Sequence, residues 1–132
     1  MKILKRGLVV LSIFIMVVVI FIIWMGNKQK KELANIYYPT INMMKVADGT
    51  YTDEAKVGLV FAKVEVTIEN NQMKEIKILE HNNGMGKPAE VVVDKMIELN
   101  NFEVDAISGA TTSSEALKSA VGKALNQGQT EK

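Results

Sequence analysis

Lys63-Val64-Glu65-Val66-Thr67-Ile68-Glu69-Asn70-Asn71-Gln72-Met73-Lys74-Glu75-Ile76-Lys77-Ile78-Leu79-Glu80 is the stretch that sets the fold class. Val64, Val66 and Ile68 alternate with Lys63, Glu65, Thr67 and Glu69. Strict period two predicts a half-buried strand of an antiparallel sheet. Asn70-Asn71 suits positive φ and a tight turn. Met73–Glu80 then returns as a second strand with Ile76 and Ile78 on one face. Val57–Ala62 extends the first strand in this reading, so residues 57–80 form a hairpin.

On the C-terminal side lies the polar loop His81-Asn82-Asn83-Gly84-Met85-Gly86-Lys87. Pro88 sits where a first helical residue is tolerated. Ala89–Leu99 is expected to be a helix with Val92, Met96 and Leu99 on one side, ended by Asn100-Asn101. Phe102–Ile107 reads as a short extended segment. Thr112-Ser113-Ser114-Glu115 matches a capping box, with Thr112 as N-cap and Glu115 at N3. Leu117, Ala120, Val121, Ala124 and Leu125 follow at the spacing of one apolar helix face. Gln127–Lys132 is polar and expected to fray. On the N-terminal side, Asp48-Gly49-Thr50-Tyr51 reads as a turn entering a short strand.

Farther upstream the material changes. Leu8–Met25 is an 18-residue apolar run whose only polar member is Ser12. At helical rise it spans about 27 Å, close to the hydrocarbon thickness of a bilayer. Lipid forces backbone hydrogen bonds inward, so the run is expected to be helical. Trp24 stands at one end, where an interfacial aromatic is favoured. The run is longer than a signal-peptide core, and Gly26-Asn27-Lys28-Gln29-Lys30-Lys31 is a poor cleavage context, so an uncleaved anchor is expected. Lys2, Lys5 and Arg6 precede it; Lys28, Lys30 and Lys31 follow. The positive-inside rule therefore barely decides orientation. The short leading segment favours an inside N-terminus and a C-terminal domain outside the cytoplasm. The expected organisation is an anchor at 1–26, a stalk at 27–47, a folded domain at 48–127 and a tail at 128–132. The fold class is α+β: an antiparallel sheet with packed helices, preceded by one transmembrane helix.

Composition narrows function. The chain has 132 residues, 48% of them hydrophobic, no Cys, one His and a net charge of +1. No Cys means no disulfide, thiolate metal site, Cys nucleophile or lipidated Cys. A single His excludes a multi-histidine metal centre, and no metal is expected. The near-neutral charge argues against nucleic acid as a partner. Three of the 16 basic residues lie in the first 25 positions. The remaining 107 residues thus set 13 Lys against 15 Asp and Glu, a mildly acidic domain.

Asp105-Ala106-Ile107-Ser108-Gly109-Ala110-Thr111-Thr112-Ser113 carries the chemistry. It is a strand end, a small-residue turn and a helix N-terminus dense in hydroxyls. Free N–H groups and the positive end of the helix dipole suit an anion, phosphate above all. Gly109 and Ala110 leave room for a ligand to approach the backbone. Ser108, Thr111, Thr112 and Ser113 supply hydroxyls that donate or are esterified. The same residues are also those of an ordinary Ser/Thr-rich helix cap, and no Gly-Lys-Ser/Thr makes a P-loop of them. His81 is a further candidate to touch a ligand, with a solvated loop histidine as the alternative, and Met85 with the adjacent Gly84 and Gly86 is another, with core or surface packing as the alternative.

The stretch resembles the flavin-attachment motif of the FMN-binding domain family, which includes the flavinylated domains of the sodium-translocating NADH:quinone reductase and of the Rnf complex. That motif is Asp, two variable residues, Ser/Thr-Gly-Ala-Thr, one variable residue, then Ser/Thr. Asp105, Ser108, Gly109, Ala110, Thr111 and Ser113 match it. The resemblance covers about residues 48–126. It implies FMN joined through its phosphate to Thr111, placed there by a flavin transferase using FAD outside the cytoplasm. Asp105 corresponds to a position used in recognition by that enzyme. It further implies an electron carrier fed by a membrane donor such as a quinone-linked reductase, rather than a free-standing enzyme. Thr112 is the neighbouring competitor for attachment, disfavoured here because its oxygen is expected to cap the helix. A non-covalent FMN sensory module and a membrane-tethered interaction domain without flavin are the alternatives.

Overall fold

A computed structural model of the chain describes residues 1–82 and 86–130. It divides into two compact units, Met1–Ala34 and Asn35–Lys132. The first is a single helix, α1 (Lys2–Ala34), of 33 residues and about 50 Å. Its apolar window has a mean hydropathy of 3.3 and none of it is buried, so α1 is long and apolar enough to cross a membrane. At the end of the apolar run, Trp24 stacks on Phe21 with ring centroids 6.3 Å apart. The Lys28 ammonium lies 5.7 Å over the indole, an amphipathic arrangement suited to a headgroup layer. The helix does not stop at the lysines; it continues to Ala34.

The second unit is an antiparallel three-stranded meander, β1 (Gly49–Val57), β2 (Val60–Glu69) and β3 (Gln72–Asn82), in the order β1-β2-β3. It is followed by a 3-10 turn (Lys87–Val91), α2 (Val92–Leu99) and α3 (Thr111–Gly128). The α+β class expected from the alternating stretch is the one observed. Val64, Val66 and Ile68 are buried, and they oppose Ile78, Ile76 and Met73 of β3. Asn70 and Asn71 both take positive φ, 52° and 60°, as a two-residue hairpin turn matched to strand twist requires.

Residues 57–62 are not one strand. β1 ends at Val57, the chain reverses at Gly58 (φ 62°) and Leu59, and Val60 pairs back to Val57. The hydrophobic run masked the turn because Leu59 carries no turn signal, though it projects into solvent, 94% exposed. Two register shifts in β3, opposite Lys63/Val64 and Thr67/Ile68, break its period and turn Leu79 outward.

One sheet face is covered. α3 packs on β1 and β2, while α2 packs on β3. Leu117, Ala120, Val121, Ala124 and Leu125 are all fully buried, as their spacing predicts. The alanines let α3 approach the strands closely, and Gly122 takes this further, because the Phe102 ring occupies the space its side chain would need.

The expected helix over 89–99 is shorter. Lys87–Val91 is 3-10, with Pro88 in its first turn, and α2 begins at Val92. Val92, Val93 and Met96 face the core, but Leu99 is 65% exposed. Asn100 explains this. It turns left-handed (φ 48°), and its side chain accepts from Met73 N and donates to Asn71 O. The end of α2 is thereby pinned at the β2–β3 turn, with Leu99 beyond the sheet.

Of the tail expected to fray from Gln127, the described residues 127–130 are held instead. Gln127 donates to Thr52 O and Asp53 Oδ2, and Gln129 bridges Val46 and holds Asn42 N and Thr40 O through its amide. Residues 35–47, expected to belong to a stalk, are part of the second unit: Pro39 and Val46 are buried, and Tyr37 O accepts from Ser119 of α3.

Candidate functional site

The turn into α3 is built by a residue the sequence did not single out. Ser114 Oγ accepts from Ile107 N at 2.9 Å and donates to Ala110 O at 2.9 Å. Together with Ala110 N donating to Ile107 O, this closes the 107–110 turn. Gly109 turns left-handed there, with φ 80°. Helix α3 consequently starts at Thr111, with Ala110 as N-cap and no side-chain cap. Thr112 is not the N-cap, and the expected capping box is absent. A fully buried serine one turn inside the helix satisfies the turn from within, so the helix begins earlier than its polar pattern suggests. Glu115, expected to fold back on the cap, instead accepts from the Tyr38 hydroxyl and pairs with Lys118 at 3.1 Å.

Three consequences bear on ligand chemistry. Among the described residues, no acceptor takes the N–H groups of Thr111, Thr112 or Ser113; these are the donors an anion finds at a helix start. Ser108, Gly109 and Thr111 are exposed, Thr112 is half-buried and Ser113 is buried. Nothing lies within 4 Å of where a Gly109 side chain would project, so a bulky group has open space beside Thr111. Hydroxyls, free amides and room occur together, and they fit a phosphate-bearing ligand.

Next to the turn is an open groove of about 300 Å³ lined by Tyr38, Glu103, Val104, Asp105 and Lys118. Phe102 and Val104 anchor its floor in the core, and the Tyr38 ring leans on Phe102 (centroids 6.4 Å, 33°). The Lys118 ammonium lies 5.6 Å from the Tyr38 ring centre. Asp105 thus stands at the junction of groove and turn. Tyr38 and Lys118 were not expected at the site. Lys118 was findable, because it lies seven residues after Thr111 on one helix face. Tyr38 was not, since only tertiary folding brings it to α3.

His81 does not line the groove. It is on β3 rather than in a loop, pairs with Ala62 and has a side chain only 2% exposed, its Nδ1 3.0 Å from Glu90 Oε1. The alternative of a solvated loop histidine does not hold, because β3 runs on to Asn82 and the buried ring bonds to the Glu90 carboxylate. Met85 and Gly84 lie outside the described residues. Gly86 is buried and opens the 3-10 turn.

No curated protein matches the chain. A family model does: that of the FMN-binding domain covers residues 61–126, half of the chain, from the start of β2 through the Ser108–Ser113 turn to the end of α3. The hydroxyl-rich helix start and its open glycine fall inside that match, as do the groove residues Glu103, Val104, Asp105 and Lys118, whereas Tyr38 lies outside it. The chain belongs to the FMN-binding domain family.

Proposed function

We propose that this protein is a membrane-anchored flavoprotein that carries FMN as a phosphoester on Thr111 and relays electrons. The supporting observation is the Thr111 hydroxyl: exposed, at a helix start with free N–H groups, and beside the open space at Gly109. Thr112 is half-buried and Ser113 buried, so of the three consecutive hydroxyls at the helix start an incoming enzyme reaches Thr111 most readily. Exposure thus replaces capping as the reason to prefer it. Attachment is a transfer from FAD. The Thr111 oxygen bonds to the flavin-side phosphorus, the bridging P–O bond of the pyrophosphate breaks, AMP leaves and the hydroxyl proton is released. A flavin transferase is the expected catalyst, with Asp105, exposed beside the turn, as a recognition element.

FMN, when held, supplies redox chemistry that no side chain of this Cys-free chain provides. The helix start stabilises the phosphodiester charge, and Ser108 and Gly109 keep the approach open. α1 places the domain at a bilayer, on the extracytoplasmic side in this reading, where a membrane donor such as a quinone-linked reductase reaches it. Residues 1–26 form the anchor, and 48–127 the flavin domain onto which 35–47 fold.

The test is the mass of the full chain co-expressed with a flavin transferase, followed by mapping of the tryptic peptide Met96–Lys118. One FMN per chain on Thr111, lost in Thr111→Ala, is expected. An adduct on Thr112 or Ser113 overturns the assignment. Flavin released intact on denaturation points to the non-covalent form.

A further inference from the structure

We infer that the groove formed by Tyr38, Val104, Asp105 and Lys118 is the seat of the isoalloxazine ring, with the Lys118 ammonium as the charge that sets its potential. This rests on attachment at Thr111. Thr111, Glu115 and Lys118 occupy positions i, i+4 and i+7 of α3, one face of the helix. Seven residues rise about 10 Å, a span that a phosphate and an extended ribityl chain bridge. A ligand leaving Thr111 along this face meets the groove, which holds about 300 Å³. Its walls have two characters. Tyr38, backed by Phe102, and Val104 are apolar surfaces for a flat ring. Lys118 is a cation with only 14% of its side chain exposed, fixed by Glu115 at 3.1 Å and 3.4 Å. A partly buried, immobilised charge acts on a neighbouring redox group more strongly than a solvated one. Glu103 and Asp105 line the same groove but are exposed, so water screens them.

Reduction adds negative charge to the flavin. Loss of the ammonium therefore disfavours the reduced state, and loss of a nearby carboxylate favours it. The two substitutions must shift the potential in opposite directions if the ring lies between these groups, and neither shifts it if the ring lies elsewhere.

The experiment uses the detergent-extracted full chain, with the adduct confirmed by mass for each variant. Lys118→Met is expected to lower the two-electron midpoint potential by about 30 mV, which corresponds to a tenfold change in the oxidised-to-reduced ratio. Lys118→Arg restores it. Glu103→Gln gives a smaller shift of opposite sign, and Tyr38→Ala changes the visible circular dichroism of the flavin. Potentials and dichroism that match the unaltered protein in every variant, with the adduct present, overturn the seat. If the unaltered chain carries no adduct, attachment at Thr111 fails and the groove is probed with free riboflavin. Quenching of its fluorescence that is weakened by Tyr38→Ala still supports the seat, and no quenching overturns it.

Discussion

Gly122→Ala sets two opposed effects against each other where α3 meets Phe102. Replacing Gly by Ala inside a helix is ordinarily stabilising by about 1 kcal/mol. Here the added methyl would stand 2.9 Å, 3.1 Å and 3.3 Å from Cε2, Cδ2 and Cζ of Phe102. The ring cannot simply swing away: Phe102 is 3% exposed and leans on Tyr38. Overpacking of this kind costs about 1–3 kcal/mol. The clash should win, leaving a net loss of about 1 kcal/mol. For a unit of roughly 100 residues that is a fall in Tm of about 4–8 °C. Thermal unfolding followed by amide exchange of the β2 strand reads it without interference from α1, which lies in the other unit. Phe102→Leu in the same background should relieve the clash, so the double variant is more stable than the sum of the two changes by at least about 0.5 kcal/mol. A Tm that rises in Gly122→Ala, or strictly additive losses in the double variant, would refute the close approach of α3 to Phe102.

Other positions give sharper local readings. Ser114→Ala removes a buried hydroxyl with two partners and should destabilise by about 1–3 kcal/mol; amide exchange at Ile107 should accelerate, and unchanged protection there would contradict its role as the internal cap. Leu117→Ala, in the fully buried face of α3, should lose about 2–5 kcal/mol in denaturant unfolding, and a loss under 1 kcal/mol would place that face outside the core. Asn71→Gly should be less damaging than Asn71→Ala by about 1 kcal/mol, because its φ of 60° suits Gly; equal losses would assign the whole effect to its bonds with Met44 O and Val46 O. Thr111→Ser should retain the flavin adduct, as the hydroxyl survives, and an adduct-free mass would show that the methyl group is needed.

Much of this was legible along the chain because it depends on neighbours in sequence. Alternation over Lys63–Glu69 gave the buried and exposed faces of β2, and Asn70-Asn71 gave a turn that needs only two positive φ values. The apolar spacing of α3 and the unbroken run in α1 are likewise periodic signals. The motif from Asp105 to Ser113 is contiguous, so its residues arrive together whatever the rest of the fold does. The first strand boundary was not legible, since Gly58-Leu59 sits inside an apolar run and only pairing of Val57 with Val60 reveals the reversal. The capping box failed for a similar reason: Thr112 and Glu115 have the right spacing, but Ser114 closes the turn ahead of them and Tyr38 takes the Glu115 carboxylate.

Local periodicity and a contiguous motif thus determined the class of fold, the apolar helix and the segment that carries the chemistry. Tertiary structure decided that Thr111 is more exposed than Thr112 and Ser113, and that Tyr38, 77 residues from Glu115, binds it on the face leading from Thr111 to Lys118. The physical reason is range. Side-chain period and turn preference act over a few residues, whereas burial and the walls of a groove are set by whatever distant segment packs there.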